Sequence, residues 1–178
     1  MLTESELFSG FQKCRRVWFA LALCCVIGSA LGVLFTVTIG EPYLLLMRRA
    51  VRCPVSIVGS IVAVAIPFLV SCILLIHSKP WLIYCIMTTH FLAFTAVGFA
   101  VMQCFGSACW LIRYLLQFPN LCLMPLLIYV ALCTFSGNTG RNLMVFCTSF
   151  AIFIGMVNYF WISPFLVDLI SKFETMGR

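Results

Sequence analysis

The sequence predicts an all-α, polytopic helical membrane protein with about five transmembrane helices, the fourth of them broken, and with short interfacial helices. Hydrophobic residues make up 63% of the 178 residues and charged residues only 9%, which leaves no polar segment long enough to cover a separate soluble domain. Five long apolar blocks occupy nearly the whole chain. The clearest block, residues 17–39, contains no charged residue, and roughly 20 such residues cross the hydrocarbon core as a helix.

The chain begins with a short polar segment, residues 1–16, which ends in Lys13, Arg15 and Arg16. We expect this segment to be a cytoplasmic lead-in at the membrane interface. The apolar run that follows is longer than the roughly 7 to 15 residues of a secretory signal, so we expect an uncleaved first span. Residues 17–162 then form one helical membrane domain.

An interfacial helix and two further spans are expected before residue 106. Residues 43–52 combine leucines with paired arginines, a composition that suits a helix in the headgroup layer. The second span is expected from about Val55 to Ile76, and Pro67 removes one of its backbone hydrogen bonds. The third span is expected from Trp81 to Phe105.

The fourth block, residues 109–135, is interrupted by polar residues and prolines, namely Arg113, Gln117, Pro119, Asn120 and Pro125. We expect residues 109–118 to form a short half-helix that either dips into the membrane or lies along the interface, and a second piece from Leu121 to Phe135 to complete the passage. The second piece is short for a full crossing, so the two pieces should share the membrane thickness.

The last span is expected from Leu143 to Ile162, after a loop over residues 136–142 that is rich in turn-forming residues. The Ser163-Pro164 pair should end this span or bend it. Residues 163–178 are then expected to form an amphipathic C-terminal tail.

The formal charge of +6 comes from 11 Lys and Arg against 5 Asp and Glu, with the basic residues at the ends of the apolar blocks. This pattern predicts the lipid bilayer and its anionic headgroups as partners, whereas nucleic acid is not expected because no basic aromatic platform is present.

The positions of the basic residues also bear on the membrane topology. Five serial crossings with the N-terminus inside put five basic residues inside and six outside, so the positive-inside rule does not favour serial crossing. If the first block or the loop after it re-enters, so that residues 43–52 stay cytoplasmic, nine of the eleven basic residues lie inside. Both topologies stay open, with serial crossing preferred.

Small residues in the first span predict close helix packing. Gly28 and Gly32 form a GxxxG motif that leaves two bare backbone patches on one helix face. Packing within this chain is preferred to packing against a partner.

The candidate polar site consists of His90, Gln103, Arg113, Gln117 and Asn120. His90 lies near the middle of the third span, where an ionisable group must face protein or a wet cavity; the alternative is a neutral imidazole that is hydrogen-bonded to the next helix. Arg113, Gln117 and Asn120 share one face if the helix is continuous, since their spacings are four and three. Snorkelling of Arg113 to the interface explains its position equally well.

No catalytic, cofactor-binding or metal-binding residue is predicted, and no enzyme activity is expected. The apolar blocks contain no Asp or Glu pair, and the motifs GxSxG and HExxH are absent. Most of the 11 cysteines fall inside the blocks, and no CxxC occurs. We therefore interpret these cysteines as buried thiols.

Two stretches, FGSACWLIRYLLQFP at residues 105–119 and WISPFLVDLI at residues 161–170, accompany a layout of one basic-flanked span, an interfacial segment and four further spans. This layout resembles the stage II sporulation protein M family of small bacterial integral membrane proteins. The resemblance implies a bacterial cytoplasmic membrane protein that helps to assemble membrane and cell-wall remodelling machinery in the engulfing endospore. No functional residue is carried over by it.

We therefore expect an integral membrane scaffold or assembly protein, in sporulation or cell-envelope remodelling, with a membrane-protein partner or as a homo-oligomer. The alternative is a transport component, such as the small substrate-binding membrane subunit of an importer. Pro67 in the second span and the broken fourth block suggest this alternative. Convergence of His90, Gln103, Arg113 and Asn120 on one cavity would favour it.

Overall fold

The computed structural model describes residues 4–52, 56–77, 79–106, 110–137 and 140–176, with side chains described between residues 15 and 172 except at 51–52. Every element within these ranges is helical. The helices are α1 (Glu4–Ile39), α2 (Glu41–Arg52), α3 (Ile57–His77), α4 (Pro80–Phe105), α5 (Trp110–Leu116), α6 (Phe118–Phe135), α7 (Arg141–Val157) and α8 (Ser163–Met176), with a π-helical turn at Asn158–Ile162 between the last two.

Five segments of the described chain are long and apolar enough to cross a membrane, which confirms the predicted multi-pass helical class. They are Arg15–Ile39, Ile57–His77, Pro80–Phe105, Phe118–Phe135 and Arg141–Lys172. The first segment belongs to a helix that is already continuous from Glu4. The last segment runs past the expected boundary at residue 162.

Helix α1 packs along α4, and the two helices run in the same direction. Gly28 lies against Thr88. Eight residues further along both helices, the Thr36 hydroxyl donates to the Ala96 carbonyl oxygen at 3.4 Å. If α1, α3 and α4 cross the membrane one after another, α1 and α4 must run in the same direction. The parallel packing of α1 and α4 is therefore the arrangement that serial crossing requires.

Helix α2 lies at the end of the bundle where α4 finishes, since the Cys104 thiol donates to the Leu44 carbonyl oxygen at 3.6 Å. We call this end the α2 end and the opposite end, which contains Arg15 and Arg16, the Lys79 end. Re-entry of the first block would have placed α2 beside Arg15. Basic residues lie at both ends, so the predicted lack of charge asymmetry remains.

The main core lies between α3, α4, α6 and α7. Helices α3 and α7 approach closely because Gly155 faces Ile61, where a Cβ atom would lie 2.9 Å from the Ile61 Cα. Such close packing supplies much of the attraction between helices in lipid, where apolar burial gives little. The fully buried side chains of this core include Cys72, Leu75, Met87, Val130 and Cys147.

The fourth block is broken at Gln117 into two helices, α5 and α6, as the sequence predicts, although α6 alone is long and apolar enough to cross a membrane. The Gln117 side chain, at the break, donates to the Phe94 carbonyl oxygen at 2.6 Å, so the break lies beside the middle of α4. Phe135, at the far end of α6, packs its ring 5.5 Å from that of Tyr84. Helix α6 begins at Phe118 rather than at Leu121, because a proline in the first helical turn has no intrahelical hydrogen bond to lose.

The last span continues through the π-helical turn into α8 rather than ending at Ser163. The Ser163 N–H donates to the Asn158 carbonyl oxygen, a bond that spans five residues. Pro164 has no N–H for the carbonyl oxygen of Phe160, and the wider turn accommodates that loss. Helix α8 then packs Leu166 and Ile170 against α5 and α4.

Candidate functional site

A polar groove with a volume of about 310 Å³ lies between α3, α4, α6 and the π-helical turn. Its polar side chains are His90, Asn120 and Asn158, and the rest of the wall is apolar. Pro67 and His90 are both near the middle of their helices. The groove therefore lies at mid-depth in the membrane, at the lower end of the size range of small-molecule sites.

Three departures from regular helix converge on this groove. Pro67 lacks an N–H, so the Ala63 carbonyl oxygen loses its donor one turn earlier, and both residues line the groove. Pro119 opens α6 at the break in the fourth span. Asn158 begins the π-helical turn. Irregular backbone at membrane depth is found where it is buried in protein or lines a cavity, and here it forms the wall of one.

His90 is connected to α3 by a short chain of hydrogen bonds. Its Nδ1 lies 3.0 Å from the Ile86 carbonyl oxygen, and its Nε2 lies 3.1 Å from the Ser71 hydroxyl oxygen. The Ser71 hydroxyl also lies 2.8 Å from the Pro67 carbonyl oxygen, to which it can donate. Because a carbonyl oxygen only accepts, Nδ1 carries a proton in this arrangement.

The Ser71 hydroxyl has a single proton, and two acceptors lie within its reach: the Pro67 carbonyl oxygen and, when the His90 proton is on Nδ1, the Nε2 atom of His90. These contacts hold the middle of α4 against the turn of α3 that contains Pro67.

Asn158 forms an interhelical hydrogen bond. Its side-chain amide donates to the Ser60 hydroxyl at 3.3 Å. The buried Ser60 hydroxyl in turn donates to the Gly155 carbonyl oxygen at 3.4 Å. These bonds hold the start of the π-helical turn to α3.

The groove opens sideways, towards the apolar surface of the bundle. Its exposed rim consists of Ala63 and Pro67 on α3, Ala93 on α4 and Asn120 on α6. In the described part of the chain, the Asn120 side chain makes no hydrogen bond. A polar amide beside a rim of small residues therefore faces the hydrocarbon layer.

The other candidate polar residues lie outside the groove. Gln117 is buried, and it packs with Arg113 against Gly98, where a Cβ atom would lie 2.8 Å from Gln117 Nε2 and 3.1 Å from Arg113 Nε. The break at Gln117 separates these two side chains from Asn120. The three residues that would share one face of a continuous helix therefore lie in two places, against Gly98 and at the rim of the groove. Gln103 is exposed on α4 and does not line the groove. Of the five candidates, His90 and Asn120 line this groove, and Gln103, Arg113 and Gln117 do not.

Gly28 and Gly32 face α4. A Cβ atom would lie 2.5 Å from the Thr88 carbonyl oxygen at the first glycine and 2.6 Å from the Leu92 carbonyl oxygen at the second. The bare face of the GxxxG motif is thus covered within the chain.

Ser71 was not among the predicted site residues, although its position in the sequence could have identified it. It lies four residues after Pro67, where a hydroxyl can bond the proline carbonyl oxygen.

Neither a metal site nor a known relative assigns a function to the groove. Among the described residues, no group of three or more His, Cys, Asp or Glu side chains could hold a metal ion. No protein-family model, curated protein or solved structure matches this chain.

Proposed function

We propose that this chain is an integral membrane assembly protein, a scaffold that holds a transmembrane helix of a partner protein in the groove. The observation that carries this proposal is the sideways opening of a polar groove at mid-depth. A ligand that arrives from this direction comes from within the bilayer.

A partner helix suits the rim better than lipid tails do. Ala63 and Ala93 are small, and small residues let a second helix approach closely. The Asn120 side chain offers both a hydrogen-bond donor and an acceptor. Lipid tails leave both groups without a partner, whereas a Ser, Thr, Asn or Gln on a partner helix can hydrogen-bond to them. The carbonyl oxygen freed by Pro67 is a further acceptor within the same groove.

The resemblance to the stage II sporulation protein M family is the basis for proposing where, and in which process, the chain has this role. In this proposal the chain works in the bacterial cytoplasmic membrane, where it assembles machinery for sporulation or cell-envelope remodelling. The partner is another membrane protein of the same envelope, and a second copy of this chain is one outcome of the test.

A second candidate function is that of a transport component that binds a small polar molecule. The broken fourth span favours it, because discontinuous helices at mid-depth form the substrate sites of many transporters. Here the break at Gln117 is next to the groove, whose lining includes Leu116 and Pro119. The molecule would bind between Asn120 and Asn158.

One matched pair of variants distinguishes these functions. Ala93→Leu fills the groove at its rim, and Ala30→Leu makes the same change at an exposed position of α1. We expect Ala93→Leu to remove the partner from complexes solubilised from native membranes and Ala30→Leu to retain it, as measured by native electrophoresis and mass spectrometry. If no complex exists, or if both variants retain it, the scaffold is wrong. Loss of a co-purifying small molecule in Ala93→Leu alone would favour the transport component.

A further inference from the structure

The short helix α5 carries a second polar feature, separate from the groove and at the α2 end. Trp110 is 62% exposed and Tyr114 is 53% exposed, and their rings meet edge to face at 6.1 Å. Exposed Trp and Tyr side chains are typical of the level of the lipid headgroups. Helix α5 therefore enters the membrane from the interface.

Arg113 lies on the same helix and folds over α4. Gly98 makes room for it, because a Cβ atom there would lie 3.1 Å from Arg113 Nε and 3.4 Å from Nη2. Nε is buried and has no hydrogen-bond acceptor. Nη1 lies 3.3 Å from the Met102 sulfur, and a thioether is only a weak acceptor.

The charge of Arg113 is not balanced by a described side chain. Glu41 and Asp168 are the acidic residues whose side chains are described, and Asp168 pairs with Lys172 at 2.8 Å. Arg113 forms no ion pair with either. A guanidinium at this depth requires an anion or water to offset its loss of hydration.

The depth of Arg113 identifies the kind of anion. Met102 and Gly98 lie three and seven residues before the end of α4, so at about 1.5 Å per residue the guanidinium is about 5 to 10 Å from that end. The side chain passes Gly98 and reaches Met102, and it therefore points towards the α2 end. A phospholipid phosphate lies within reach of a side chain placed in this way.

We infer that Arg113 binds the phosphate of a membrane phospholipid in the leaflet at the α2 end, with Trp110 and Tyr114 beside the lipid backbone. Because Nε is buried, the paired donors that match phosphate oxygens are the two terminal nitrogens of the planar guanidinium, Nη1 and Nη2. Arg48 and Arg49, exposed on α2 at the same end, raise the local concentration of anionic lipids without holding one lipid in place. This inference does not depend on what occupies the groove.

The test compares three variants of the full chain in detergent, with dioleoylphosphatidylglycerol as the probe and native mass spectrometry as the measurement. Arg113→Gln should weaken binding of the tightest lipid about tenfold to a hundredfold, as expected for the loss of charge-assisted hydrogen bonds. Arg113→Lys keeps the charge but loses the paired donors, so its affinity should fall between wild type and Arg113→Gln. Arg49→Gln, the matched loss of one charge on an exposed helix, should stay within about twofold.

Equal losses in Arg113→Gln and Arg49→Gln would show only diffuse attraction of lipid and would overturn the inference, as would unchanged binding in both. If Arg113→Gln does not fold, Arg113→Lys decides, since full wild-type affinity in that variant excludes paired recognition. Inorganic phosphate is the second probe. If it binds at Arg113 as tightly as the lipid and displaces it, the ligand is a free phosphate and the lipid is excluded.

Discussion

Adding one methyl group at Gly28 or Gly32 tests the contact between α1 and α4. The new Cβ would lie 2.5 Å from the Thr88 carbonyl oxygen at residue 28 and 2.6 Å from the Leu92 carbonyl oxygen at residue 32. Both obstacles are helix backbone, so α1 must move away by about 1 Å to restore the usual 3.5 Å separation. A gap of that size removes a quarter to a half of the van der Waals attraction of each contact between α1 and α4.

Overpacking costs about 1 to 3 kcal/mol, and the upper half of that range applies to Gly28→Ala because the obstacle is helix backbone. Alanine raises helix propensity by about 1 kcal/mol, so we expect the free energy of unfolding to fall by about 1 to 2 kcal/mol. Gly32→Ala should behave in the same way. The double variant should be close to the worse single variant, because once α1 has moved the second methyl group has room.

The measurement is reversible unfolding by SDS in mixed micelles, followed by helical circular dichroism. Ala30→Leu is the control, since Ala30 is exposed on the same helix, and it should change the free energy by less than about 0.5 kcal/mol. Glycine variants that are as stable as this control would refute the close approach of α1 to α4. A fully additive double variant would refute the rigid movement of α1.

Three further predictions concern single side chains. Ser71→Ala should destabilise the fold by about 1 to 3 kcal/mol in the same SDS assay, because it removes the hydroxyl that bonds both His90 and Pro67. Gly98→Ala should destabilise it by about 1 kcal/mol net, because the new methyl group displaces the end of the Gln117 side chain from the Phe94 carbonyl oxygen, and the gain in helix propensity offsets about 1 kcal/mol of that cost. Burial, and secondly the nearby Cys104 thiol, raise the pKa of Tyr43 above its ordinary value; the neutral phenol is therefore favoured in the folded state, and packing of α2 should weaken as pH rises above about 10.

Each of these predictions has its own contrary result. Thr89→Ala is the control for Ser71→Ala, because its exposed hydroxyl bonds only its own helix, and equal effects of the two changes would remove the role of Ser71. Gly98→Ala with wild-type stability would mean that Gln117 does not sit against α4. The titration of Tyr43 is read from tyrosinate absorbance by difference from Tyr43→Phe, and a midpoint at or below the ordinary value would contradict its burial.

Much of the fold follows from the sequence because the bilayer restricts what a chain can do. Long apolar blocks must be helices, and the polar residues and prolines between 113 and 125 mark the fourth block as broken. The exact start of α6 was missed by three residues, since Pro119 reads as a helix breaker although the first turn tolerates it. The π-helical turn was also missed, because Pro164 predicts a disturbance of the preceding turn but not the form that it takes.

The site was predicted less completely, because it depends on contacts between distant parts of the chain. His90 and Asn120 stand out in the sequence as polar residues at membrane depth, yet nothing local shows that they face the same groove as Asn158. Gln117 and Arg113 share a helical spacing with Asn120, but the helix breaks between them. Their true neighbour, Gly98, is identified only by the packing of α5 against α4.

The most direct test of the proposed function is the identity of what contacts the rim of the groove in native membranes. A photoreactive benzoylphenylalanine at position 120 should cross-link to a transmembrane segment of a partner protein, whereas the same residue at position 26, which is exposed on α1, should give only lipid adducts. A protein adduct confined to position 120 is the result that the scaffold predicts. Lipid adducts alone at both positions would contradict it.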